Sequence, residues 1–147
     1  NFVPKPQTPY QFNAMRRREY FDEAHRQLRR RKSMRAVELK CHDVDTSLLE
    51  GMISRGDRRV GRVIEAVWRR GARFDAWSDH LRPELWWDAA AEAGIDLDRL
   101  LHTPYPVDAE LPWQHMTIRQ GRRHLEREQR KSAEQLAALP CPVSPDP

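Results

Sequence analysis

Apolar residues recur at helical spacing along most of the chain. Val60, Val63, Ile64, Val67 and Trp68 fall at i, i+3, i+4, i+7 and i+8, which predicts a helix with one buried stripe. Gly56-Asp57 opens it and Gly71 closes it, with Arg69 and Arg70 at the negative end of its dipole. Upstream, Phe21, Ala24 and Leu28 share a face within a helix expected over 14–32. Leu48, Leu49, Met52 and Ile53 predict the core face of another, capped by Asp45 or Thr46, with a Ser47-x-x-Glu50 capping box and a stop at Gly56. Pro83 suits a first helical position, followed by Leu85, Trp86, Ala89, Ala90 and Ala93 and a stop at Gly94. A short helical turn is expected over 95–101. A last helix is expected from Thr117 to Leu139, anchored sparsely by Ile118, Leu125, Leu136 and Leu139.

Two stretches depart from the helical period. Val37, Leu39 and Cys41 alternate with Glu38 and Lys40, which predicts a short half-buried strand over 35–42. Phe2-Val3 is expected to finish a strand, because Pro4, Pro6 and Pro9 forbid a helix along the first twelve residues. Prolines 104, 106 and 112 mark a loop, and the proline-rich 140–147 is expected to be disordered. The chain therefore reads as mainly α with one or two short β-strands.

Composition narrows the class without choosing a function. A chain of 147 residues is enough for one domain with a real core but not comfortably for two domains. Mean hydropathy is −0.87, and no apolar run approaches the ~20 residues of a bilayer span, so no membrane association and a cytoplasmic location are expected. The net charge of +4 is mild, though arginines cluster at Arg16-Arg17-Arg18, at Arg29-Arg30-Arg31 and again near the end. Cys41 and Cys141 are the two cysteines; they make neither a disulfide framework nor a CxxC pair.

Candidate chemistry lies at the ends of the central helix. Arg58 and Arg59 have the forked donors that clamp phosphate or carboxylate, or else form a solvated face behind an Asp57 cap. Asp75, Asp79 and His80 bring acid/base groups together around Trp77, or else serve as turn and cap residues. Cys41-His42-Asp43 is expected to leave no metal site, since neighbours on a strand point to opposite faces. Most of the five tryptophans should be core. Trp87 cannot share the face of Trp86 and is expected, with Phe2 and Val3, to expose apolar surface. Interleaved with arginine, tryptophans also suit base stacking, which keeps RNA open as a partner. Trp113 and His115 lie in a rigid loop, Leu111-Pro112-Trp113-Gln114-His115.

Five segments, in order, resemble a family of radical SAM proteins that carry a cobalamin-binding domain. Asn1 to Phe12 resembles the family's FVPKPxTPFQ, and Leu49 to Arg59 its EGxxARGDRR. Phe74 to His80 resembles FDxWSEHF, Ala93 to Asp96 resembles GLD, and Leu111 to Met116 resembles LPWDHI. Leu81 stands where the family has an aromatic, Gln114 where it more often has Asp, and 140–147 does not match its cysteine-rich end.

The resemblance implies a C-terminal portion of such an enzyme, and Asn1, falling inside a motif, is expected to make the chain a fragment. Residues 1–13 would end the radical SAM barrel, and 14–139 would form a helical cap on its mouth, followed by the tail. The implied chemistry is reductive cleavage of S-adenosylmethionine at a four-iron four-sulfur cluster, with cobalamin a further cofactor the resemblance admits. Lys5 and Gln11 would lie near the cofactor end of the barrel. Arg58, Arg59, Asp75, Trp77, His80, Trp113 and His115 would shape or close the substrate pocket. The cluster needs three thiolates from a CxxxCxxC motif, which this sequence lacks, so the chain alone is not expected to catalyse. The partner would be the rest of the barrel. The other reading is a freestanding basic helical module that binds RNA or protein.

Overall fold

The structure is a computed structural model that describes residues 1–33, 35–77 and 79–139. A 3₁₀ turn, Pro9–Phe12, precedes six α-helices: α1 Arg18–Arg31, α2 Val44–Arg55, α3 Arg59–Arg69, α4 Pro83–Glu92, α5 Leu97–His102 and α6 Arg122–Ala138. The described residues contain no strand. Both strand expectations are thereby corrected. Alternation is stable only beside a partner that takes up the backbone donors and acceptors. Residues 35–42 have none here, and Val37 and Lys40 are exposed. The expected tail at 140–147 lies outside the described residues.

Helix α2 is the hub, packing on α1, α4 and α5, while α3 packs mainly on α4. Its start is capped by Asp43, whose carboxylate accepts the Thr46 amide at 2.8 Å. Asp45 and Thr46 are therefore not the cap, and no capping box forms, because Glu50 pairs with Lys5 and Ser47 Oγ donates to the Asp43 carbonyl. The main core gathers Met15, Phe21, Leu49, Met52, Val60, Val63, Val67, Trp86, Ala89, Ala90, Ile95 and Leu101. A smaller core of Phe12, Leu111 and Trp113, with Tyr105 against it, lies beneath α6.

Helices α3 and α4 end alike. Gly71 and Gly94 take positive φ of 89° and 68°, which only glycine adopts cheaply. The following residues, Ala72 and Ile95, donate back to Val67 at 3.2 Å and Ala90 at 2.9 Å. Both then bury their side chains in the core, fixing where the chain leaves each helix.

Burial narrows the predicted stripes. On α3 only Val60, Val63 and Val67 are buried; Ile64 is 46% and Trp68 57% exposed. On α1 Phe21 is buried but Leu28 is exposed, and on α2 Ile53 is exposed. Trp87 is partly buried against the main core rather than exposed, whereas Phe2 is exposed and meets Tyr10 edge-on. Helices α1 and α6 start later than expected, and α6 buries only Leu125. Among the described residues no helix is long and apolar enough to cross a membrane.

Candidate functional site

The corner between α2 and α3 is built from Arg55, Gly56, Asp57, Arg58 and Arg59. Arg55 follows Met52 by three residues and so lies on the buried side of α2, at 1% exposure. Its guanidinium donates to three backbone carbonyls: Nε to Leu100 and Nη2 to Thr103, both at 2.7 Å, and Nη1 to Asn13. The same group lies over the Tyr105 ring, 4.3 Å from its centroid, and the Tyr105 hydroxyl donates to the Arg55 carbonyl at 3.2 Å. Burial pushes the Arg55 pKa down and the Tyr105 phenol up. Arg55 escaped the sequence reading because arginine reads as surface. Its spacing behind Leu48 and Met52, at i, i+4 and i+7, was the available signal.

Arg59 is fixed from both sides. Its backbone N–H and its Nε donate to Asp57 Oδ1 at 2.9 and 3.0 Å, and Nη1 donates to the Gly94 carbonyl at 2.6 Å. The Arg59 guanidinium, by hydrogen bond first, holds the Asp57 carboxyl below the usual carboxylate range. Arg58 is exposed. Beside this corner opens a cleft of about 530 Å³, lined by Arg55, Asp57, Arg59, Arg99 and Tyr105 with the 94–96 and 103–106 segments and Pro112.

The second group sits at the other end of α3, a helix of 11 residues, about 16 Å long at the usual rise. Phe74, at φ 61°, starts a turn in which the Trp77 amide bonds Phe74 O and the His80 amide bonds Trp77 O, each at 2.9 Å. Phe74 stacks edge-on with Trp77 at 5.6 Å and tilts against His80 at 6.0 Å. The turn sets Trp77 and His80 against Phe74; Trp77 is 61% exposed. Asp75 Oδ1 is buried without a hydrogen-bond partner.

The third group joins the N-terminal segment to the 111–116 loop. Buried Trp113 donates through Nε1 to Oε1 of buried Gln11 at 2.7 Å, and that oxygen also accepts the Gln7 amide at 3.1 Å. His115 is exposed. Arg58 and Arg59 therefore stand apart from Asp75, Trp77 and His80 across the length of α3, with Trp113 in the smaller core.

On the α1 side a wider cleft of about 850 Å³ is lined by His25, Cys41, His42 and His102 among others. Asp43 caps α2, and His102 Nδ1 lies 3.1 Å from the Met15 carbonyl. Among the described residues no three His, Cys, Asp or Glu side chains gather to hold a metal ion. The chain's two cysteines do not make the three-thiolate set of a four-iron four-sulfur cluster, so no step is derived through one. Compared with protein families, curated proteins and solved structures, the chain matches none.

Proposed function

We propose that this chain is the C-terminal helical segment of a radical SAM enzyme, contributing to barrel closure and to the substrate pocket. The observation that supports this reading is the bonding between segments that carry the resemblance. Lys5 pairs with Glu50, Arg55 with the Asn13 carbonyl just past the first segment, Arg59 with the Gly94 carbonyl, and Gln11 with Trp113. Four segments scattered from the first residues to 116 thus meet through their own polar groups.

On this reading Gln11 positions Trp113, and Asp75, Trp77 and His80 present an exposed aromatic and acid/base turn toward the substrate side. S-adenosylmethionine, the iron-sulfur cluster and any cobalamin would be held by the rest of the enzyme, whose chemistry would be reductive cleavage of S-adenosylmethionine.

The test begins with the DNA upstream of the Asn1 codon. An open frame running back through CxxxCxxC is expected, and the long chain, expressed and reconstituted without oxygen, should cleave S-adenosylmethionine to 5′-deoxyadenosine. A frame without that motif overturns the reading and leaves a binding module. In the long chain, Trp77→Ala and His80→Ala should lower product formation more than cofactor cleavage.

A further inference from the structure

Among the described residues the buried charge of Arg55 has no anionic partner. Its three hydrogen bonds go to neutral carbonyls, and none of the ion pairs among the described residues includes it. A guanidinium carries five N–H donors, so one on each Nη is left over after these bonds. A buried cation without a counter-ion is costly, and the cost falls when an anion comes within a few ångströms.

The cleft that Arg55 lines also holds two carboxylates, Asp57 and Asp96, and both are already engaged. Asp57 is held by Arg59, and Asp96 caps α5 by accepting the Arg99 amide at 3.0 Å. Arg99 also lines the cleft, and its side chain makes no hydrogen bond or ion pair among the described residues. Three arginines and two aspartates line the cleft, so it carries one net positive charge, and neither Arg55 nor Arg99 is ion-paired among the described residues. The remaining wall is largely apolar: Ile95, Leu100, Tyr105, Pro104, Pro106 and Pro112. The volume, about 530 Å³, is that of a small-molecule site.

We propose that this cleft binds a small organic oxyanion, its phosphate or carboxylate group received by Arg55, Arg59 and Arg99 and its flat body resting against the proline and tyrosine wall. The site lies wholly within this chain and needs no part of a barrel. It is independent of the enzyme reading: failure of the binding test leaves that reading standing, and an upstream frame without the cysteine motif leaves this site standing.

The experiment is an amide NMR titration of the isotope-labelled chain with phenyl phosphate, inorganic phosphate and benzoate, at constant ionic strength. Saturable shifts are expected at Gly56, Gly94, Ile95 and Thr103, half-complete at about 1 mM or below. Phenyl phosphate should bind more tightly than inorganic phosphate because of the apolar wall. Whichever of phenyl phosphate and benzoate binds more tightly identifies the oxyanion. Arg99→Gln changes an exposed side chain, so the fold should survive, and binding should weaken about tenfold, the loss of one charge-assisted contact. Arg59→Gln should weaken it similarly, whereas Arg123→Gln on α6 should leave it unchanged. Shifts that never saturate, shifts spread equally over the arginines of α1, or equal binding by wild type and Arg99→Gln would each overturn the site.

Discussion

Arg55 joins α2 to the segment before α1 and to the last turn of α5, through the carbonyls of Asn13, Leu100 and Thr103. Arg55→Met keeps the volume and removes the buried charge, but leaves three carbonyls without donors. A loss of about 3 kcal/mol is expected, read from the urea midpoint at unchanged m value. Asp57 gives a different signature. Its folded pKa lies below the ordinary value, chiefly through the Arg59 hydrogen bond. Its contribution is therefore present above about pH 4 and is lost as pH falls through the lower folded value. Wild type and Asp57→Asn should differ in stability near neutrality and converge in acid; a difference independent of pH would contradict the pairing. The sequence reading placed Arg58 and Arg59 at this corner and passed over Arg55. A charge pattern shows where arginines are, but not which one the fold encloses.

At the scale of elements, periodicity identified α2, α3 and α4 through several spaced buried residues, whereas α1, α5 and α6 each bury one. It overstated the width of the buried stripes. Helix α3 lies at the edge of the bundle, mainly against α4, so only Val60, Val63 and Val67 find cover. Ile64 and Trp68 satisfy the pattern and still face outward. Met52→Ala, at a fully enclosed site, should cost about 3 kcal/mol, while Ile64→Ala should stay within about 0.5 kcal/mol; comparable thermal shifts would refute the edge position of α3. Gly56 was read as the stop of one helix and the opening of the next. At that position a Cβ would come 2.2 Å from Val60 Cγ2 and 2.7 Å from the Met52 carbonyl oxygen. The backbone oxygen cannot swing aside, so Gly56→Ala should open the α2–α3 corner and cost about 1–3 kcal/mol. The alternation at 35–42 misled for a complementary reason: a strand pattern states a preference, and a sheet requires a partner.

Over the whole molecule, two cores share one chain, and the first segment enters the second core through Phe12 and through the polar bond between Gln11 and Trp113. The main core is closed by α2 to α5, with Met15 and Phe21 added from the N-terminal side. The smaller core is built of only Phe12, Leu111 and Trp113, with α6 laid over the 3₁₀ turn. Helix α6 buries Leu125 alone, and farther along it the Tyr10 hydroxyl meets Ser132 Oγ at 2.8 Å. So small an apolar base cannot by itself offset the ordering of a loop and a long helix; the buried hydrogen bond has to select the arrangement. Trp113→Phe preserves most of the apolar contact and removes the donor to Gln11, leaving that oxygen with the Gln7 amide alone. A loss of about 1–2 kcal/mol is expected, and it should be local. Hydrogen exchange should quicken in α6 and at Gln11, while the amides of α2 and α4 keep their wild-type protection. If exchange rose uniformly, the two cores would be one cooperative unit, and Trp113 would be only one more packed aromatic.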